Sequence, residues 1–214
     1  LPSHIEKLEE RVEGLVGQDW QPDVTADAGY GSEENYDLLA SKSIRGFVKY
    51  PLWFQEHSGQ LAQKIYRKEN WLYHEEEDYF VCPAEKRFNF LEHKQAITRN
   101  GYKRSLRIYE CESCLNCPMF KDCRGERAKP ESNRRLQISR NLEAHKQAAK
   151  ELLASDEGKE KRSQRSIDVE TPFGDIKYNM GHRRFYLRGK EKVYIEFSLL
   201  SLAHNIRKIY CEKT

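Results

Sequence analysis

The rhythm of apolar and polar positions changes several times along the chain. From His4 to Leu15, Ile5, Leu8, Val12 and Leu15 recur at helical spacing with charges between them, which predicts an amphipathic helix capped by Gly17. After the turn signal Gln21-Pro22-Asp23, the short apolar run Val24-Thr25-Ala26 predicts a strand that ends on Asp27, and Gly29-Tyr30-Gly31 breaks it. Ser32 is a good N-cap for a helix over Glu33–Ser41, and Arg45–Tyr50 reads as a second strand stopped by Pro51. Strand, loop, helix, strand is the grammar of an α/β sheet.

Residues 51–140 follow a different pattern. Aromatic and charged residues mix in short alternating pieces, such as Trp71-Leu72-Tyr73 and Tyr79-Phe80-Val81, and five of the six cysteines fall here. The segment reads as a small inserted subdomain. From Leu142 helix formers return, a basic stretch runs from Lys159 to Arg165, and the chain closes on an amphipathic helix carrying Phe197, Leu199, Leu200, Leu202, Ala203, Ile206 and Ile209. The expected organisation is residues 1–50 and 141–214 as one core, with 51–140 inserted into it.

Composition adds that this core is thinly supplied. Hydrophobic residues make up 38% of the 214 and charged ones 33%, against roughly 45–50% and 25% in an ordinary globular domain. Mean hydropathy is −0.89. The longest uncharged apolar-rich stretch near the C-terminus, Phe197 to Asn205, is far below the ~20 residues of a membrane span, and the charged first sixteen residues do not form a signal peptide. The net charge of +3 hides an asymmetry: residues 1–100 carry 12 basic and 18 acidic side chains, residues 101–214 carry 25 and 16. A basic C-terminal half suits nucleic acid and equally suits a solvated surface.

Cys111, Cys114, Cys117 and Cys123 form C-x2-C-x2-C-x5-C, with Cys82 upstream and Cys211 apart. Without a secretory signal, disulfides are not expected. Two-residue spacing lets neighbouring thiolates turn back on one ion, as in zinc ribbons and Fe–S loops. Five candidates for four positions leave zinc, a 4Fe–4S cluster and plain reduced thiols open, with zinc ahead. A metal would staple a subdomain poor in aliphatic residues.

Asp27 ends a strand before the small-residue loop Ala28-Gly29-Tyr30-Gly31. Ligand sites in α/β sheets lie beyond the carboxyl ends of strands, although a turn Asp often only serves nearby backbone N–H groups. Downstream, Glu170 and Lys177 are seven residues apart, the interval of two helical turns on one face, with Pro172 between them.

Taken together, "ADAGYGSEENY" at 26–36, "IDVETPFGDIK" at 167–177, "RRFYLRG" at 183–189 and "LAHNIRK" at 202–208 resemble the DDE transposases of bacterial insertion sequences. The branch resembled carries a cysteine-containing insertion in the catalytic domain, matching "YFVCPAEK" and "CESCLNCPMFKDC". The resemblance implies an α/β fold with a ribonuclease-H-like core. It implies DNA transposition through two Mg²⁺ (or Mn²⁺) ions held by three carboxylates. Asp27 would be the second acid and Glu170 the third, both as ligands to magnesium. Lys177 would contact DNA near the scissile phosphate, Arg165 matches the arginine before the Glu, and Arg183, Arg184 and Arg188 would meet phosphates. DNA (transposon ends and target) would be the partner, the parent a homo-oligomer on DNA, and the location the bacterial cytoplasm.

Two departures stand out. The family's Tyr three residues before the Arg is Arg162 here, and no Asp on an early strand precedes Asp27, because Asp19 and Asp23 fall in the turn. The chain is therefore expected to be a C-terminal fragment lacking the first acid and first strands, and inactive alone. The alternative is a metal-stapled, non-catalytic nucleic-acid-binding module. An Fe–S nuclease is a third reading.

Overall fold

The computed structural model describes residues 1–12, 22–129 and 131–212. The last three residues of the expected first helix, 13–15, its Gly17 cap and Asp19 lie outside the described residues. The chain divides into two compact units, Leu1–Ala154 and Ser155–Thr214, and is mixed α/β.

The first unit opens with helix α1 (Pro2–Val12), which buries Ile5. Strand β1 (Asp23–Ala26) leads through a 3₁₀ turn at Ala28–Tyr30 into α2 (Glu33–Ser41) and then β2 (Arg45–Val48). The two strands are parallel, with Asp23 opposite Arg45 and Ala26 opposite Val48. The α2 boundaries are those expected: the Ser32 side chain accepts from the Asn35 backbone N–H, and Asn35 Nδ2 donates to Tyr30 O at 2.9 Å. Phe47 and Val48 are fully buried, each contributing roughly 1.5–3 kcal/mol by leaving water. Gly31 is needed for space: a Cβ there would sit 2.5 Å from Lys49 O and 2.9 Å from Tyr50 Cα, both backbone atoms.

Beyond α3 (Trp53–His57), strands β3 (Leu72–His74), β4 (Tyr79–Val81), β5 (Arg87–Ile97) and β6 (Lys103–Cys111) run as an antiparallel meander. Helix α4 (Phe120–Arg124) intervenes before β7 (Arg135–Ile138) completes a five-stranded sheet in sequential order. Its buried face gathers Trp71, Phe88, Tyr109, Cys111, Leu136 and Ile138. The acidic run Glu75–Asp78 ends in a polar hub. Asp78, with φ +54°, accepts from Tyr73 Oη and Tyr109 Oη at 2.6 Å each and pairs with Arg107 and Arg140.

Helix α5 (Arg140–Ala154) returns against β2, α2 and β6. A polar network fastens this packing. Glu33 Oε1 accepts from Ser139 Oγ at 2.8 Å and Asn141 Nδ2 at 3.1 Å. Asp37 accepts from Tyr102 Oη and Asn141 Nδ2 and lies 2.7 Å from His145 Nε2, whose ring stacks on Tyr36. Burial alone would push the Asp37 carboxyl up, but the hydrogen bonds from Tyr102, Asn141 and His145 outweigh it and hold the carboxyl below its ordinary value.

The second unit is helical among its described residues. Helix α6 (Asp156–Arg165) passes into a π-helical stretch, Ser166–Glu170, then α7 (Thr171–Gly174) and a second π stretch, Asp175–Asn179; α8 (Lys190–Glu212) follows a loop. Ser155 caps α6 by accepting from Gly158 N. Asp175 fastens the π stretch to α8, with His204 Nδ1 at 2.8 Å and Arg207 at 3.0 Å. The apolar residues expected on α8 do not form a buried stripe: Leu199, Leu202, Ile206 and Ile209 are all more than half exposed. Among the described residues, no helix is long and apolar enough to cross a membrane.

Two outcomes follow for the first unit. Gly31→Ala forces backbone apart and should lower the free energy of unfolding by about 1–3 kcal/mol, read as a lower denaturant midpoint; an unchanged midpoint would refute the close approach. For Asp37, a depressed folded value means that the unfolded chain binds the proton first on acidification. The stability it provides is complete above about pH 4, the ordinary Asp value, and fades as pH falls through the lower folded value. Asp37→Asn should therefore give a less stable protein whose stability declines less steeply between about pH 4 and pH 2 than the parent's; equal slopes would contradict the network.

Candidate active site

Asp27 is exposed at the carboxyl end of β1, in extended conformation (φ −75°, ψ 168°), where the parallel ladder gives way to the 3₁₀ turn. Its carbonyl accepts from Tyr30 N at 2.9 Å, which closes that turn. The strand is short because Ala26 O receives Lys49 N at 3.2 Å as its last rung, and Gly31 then lets the loop run close under Lys49 and Tyr50. The result is a carboxylate presented to water from a tightly determined loop.

Glu170 lies in the second unit, at the end of the first π stretch, with its side chain 69% exposed. Two neighbours on its own helix hold it: Ser166 Oγ donates to Oε2 at 3.3 Å, and Arg165 lies 4.0 Å from Oε1. Pro172 does not break the helix. Thr171, Gly174 and Asp175 keep right-handed helical angles. A proline lacks the N–H for the i−4 carbonyl and its ring crowds that carbonyl; widening to i→i+5 bonding accommodates both faults. The widening alters the expected alignment, since seven residues now span less than two full turns. Lys177, exposed in the second π stretch, is thus turned round the helix axis relative to a plain α-helix.

Arg183, Arg184 and Arg188 are exposed on the loop between the second π stretch and α8. This loop is fixed from behind by Glu196, which accepts from Tyr186 N at 2.9 Å and Leu187 N at 3.0 Å and contacts His182 Nε2 at 3.0 Å. Those backbone bonds lead the influences that hold the Glu196 carboxyl below its ordinary value. His145, His182 and His204 each lie beside a carboxylate far away in sequence or across a loop.

The cysteines of residues 51–140 do gather. Cys82, Cys111, Cys114, Cys117 and Cys123 all line one cavity of about 20 Å³, together with Phe88 and Arg134. All six cysteines are free thiols, and Cys211 is exposed on α8. Burial pushes the Cys111 thiol up to about 12, with Cys114 and Cys82 adding to it. Among the described residues, however, no three His, Cys, Asp or Glu side chains converge closely enough to form a ready-made metal cage, either at these thiols or at the carboxylates.

Residues 81–210, more than half of the chain, match the family model described as the transposase DDE domain. Neither a curated protein nor a solved structure gives a significant match. The matched stretch starts one residue before Cys82 and runs through all five clustered cysteines, Arg165, Glu170, Lys177 and the arginine loop, while Asp27 precedes it. On that match, the chain belongs to the DDE transposase family.

Proposed function

We propose that this chain forms part of a ribonuclease-H-like catalytic core that cleaves and joins DNA, in a bacterial insertion-sequence transposase, with residues 51–140 as a cysteine-rich insertion between 1–50 and 141–214. Asp27 is the second acid of the triad and Glu170 the third. The observation that carries this is Glu170, which lies within the matched family stretch as an exposed carboxylate oriented by Arg165 and Ser166. The parallel β1–β2 pair joined by α2, with Asp27 at its carboxyl end, supports it from the other side.

The donor set fits Mg²⁺ or Mn²⁺: exposed carboxylate oxygens are hard ligands of the kind these ions take. Bound there, such ions would activate the attacking water or 3′-OH and stabilise the leaving oxygen. The chain's own residues supply the rest. Arg165 limits the rotamers open to Glu170. Lys177 and the Arg183, Arg184 and Arg188 side chains offer charge to phosphates, the last three from a loop that Glu196 keeps in shape. The first acid of the triad is not assigned to a residue of this chain, and assembly of the whole enzyme on transposon ends and target DNA is part of the same proposal. A non-catalytic nucleic-acid-binding module is disfavoured, because the family match runs through Glu170 as well as the cysteines.

With two of three carboxylates, this chain alone should show no Mg²⁺- or Mn²⁺-dependent nicking of supercoiled DNA above background. Robust nicking that survives both Asp27→Ala and Glu170→Ala would overturn the assignment. Replacing Arg183, Arg184 and Arg188 by Ala should weaken DNA binding on every sequence alike. It should also flatten the dependence of log affinity on log salt by about one for each phosphate the loop neutralises. An unchanged salt slope would remove the loop from the DNA interface.

A further inference from the structure

The cysteine cavity carries more information than its residue count. Four of its five thiols sit where the backbone turns sharply. Cys82 begins the tight turn between β4 and β5: Glu85 N donates to Cys82 O at 2.9 Å, Cys82 N donates to Lys86 O at 3.0 Å, and Glu85 is left-handed at φ +56°. Cys114 and Cys117 bracket a second such turn, with Cys117 N on Cys114 O at 3.3 Å and Asn116 at φ +55°. Cys123 lies on the single turn of α4, whose start is tied to Cys117 by Phe120 N on Cys117 O at 3.1 Å. Cys111 differs. It lies in the ladder of β6 opposite Phe88, its backbone N–H bonds Arg134 O at 2.9 Å, and its S–H donates to Ser113 O at 3.6 Å.

Arg134 is built around the sulfurs. Its backbone N–H donates to Cys114 Sγ at 3.3 Å, and one guanidinium nitrogen donates to Cys123 Sγ at 2.7 Å. The other guanidinium nitrogen donates to Tyr66 O at 2.9 Å, and the plane lies 4.8 Å over the Trp71 ring. Lys86 and Arg124 line the same cavity. Three cations around thiols with no carboxylate in the lining are hard to explain for neutral thiols. They suit a centre of net negative charge, which four thiolates around one divalent ion would be.

We propose that Cys82, Cys114, Cys117 and Cys123 bind a single structural zinc ion, that Cys111 remains a core thiol outside the coordination sphere, and that Arg134 acts as the outer-shell donor that balances the thiolate charge. Among the described residues the sulfurs do not form a finished cage, so binding requires them to draw together on the ion. A cavity of about 20 Å³ has room for one ion. The proposal uses none of the carboxylates and does not depend on whether the enzyme transfers strands.

Elemental analysis of the full chain, purified under reducing conditions, should give one zinc per chain. Co²⁺ exchanged into it should show the visible d–d bands and the near-ultraviolet thiolate charge-transfer band of a tetrahedral four-thiolate site. Cys111→Ala should keep one equivalent and the same cobalt spectrum. Cys82→Ser, Cys114→Ser, Cys117→Ser and Cys123→Ser should each lose the ion or the four-thiolate spectrum. Arg134→Met should still bind, with affinity about 10–100-fold weaker. Should the serine variants fail to fold, the parent and Cys111→Ala stoichiometries decide the matter alone. No zinc and no cobalt spectrum in the parent, iron with acid-labile sulfide in its place, or loss of the ion in Cys111→Ala would each overturn the proposal.

Discussion

The first unit depends on a carboxylate that has been taken almost out of water. Glu33 is 6% exposed, which is costly for a charge unless it is paired or hydrogen-bonded. It is placed where the cost is lowest. As the first residue of α2 it lies in the positive end of the helix dipole, and Ser139 and Asn141 reach it from the junction of β7 and α5. One residue thereby joins the parallel strand pair to the antiparallel sheet and its following helix. Asp37, one turn on, repeats the device toward Tyr102 in the β5–β6 connection and His145 on α5. The helix that follows Asp27 is thus clamped on two successive turns, and the Asp27 loop inherits its rigidity from that clamp and from the contact beneath Gly31.

Local signals in the sequence foretold local structure. Ser32, the apolar run before Asp27, and Pro51 after the second strand gave α2 to the residue and β1 and β2 nearly so, because caps, period and breakers act within a few positions. The gathering of five cysteines was also legible from spacing. What stayed hidden was long-range: Glu33 meets Ser139 across 106 residues, and Asp78 collects Tyr73, Arg107, Tyr109 and Arg140. No periodicity announces such partners, and nothing local in the run Glu75–Asp78 marks its last residue as a structural hub. Pro172 was legible as a helix breaker and proved not to break the helix, since π-turns on either side gave it room. The motif around Glu170 came from resemblance alone, because an exposed Glu on a polar helix has no local signature.

The low apolar fraction acquires a physical meaning in this architecture. The antiparallel sheet buries one face around a small aromatic cluster, while β5 leaves most of its length exposed. Polar hubs and cation–aromatic stacking take over part of the work of core: Arg134 over Trp71, Arg107 over Phe90 and Arg87 over Tyr79 are all within 5 Å of a ring centroid. Such contacts are individually modest, and a metal among the thiols would supply the directional cross-link that a thin core lacks.

The same contrast of solvation separates acids that hold the fold from acids that could act. Asp78 is surrounded by donors, so a metal ion would have to displace several hydrogen bonds there, and Glu33 is buried with its Oε1 held by Ser139 and Asn141 while its Oε2 has no hydrogen-bond partner among the described residues. Such carboxylates are poor candidates for catalysis. Glu170 is the reverse. Its side chain is more than two-thirds in water, and its ion pair is a 4.0 Å contact to a neighbour on the same helix. An exposed pair of this kind is worth roughly 0–1 kcal/mol, so it can orient the carboxylate and still release an oxygen to a ligand at little cost. Asp27 is likewise presented to water, from a loop whose backbone is fixed. Exposure on a fixed backbone is what a metal ligand needs, and Glu170, which lies inside the matched family stretch, has it.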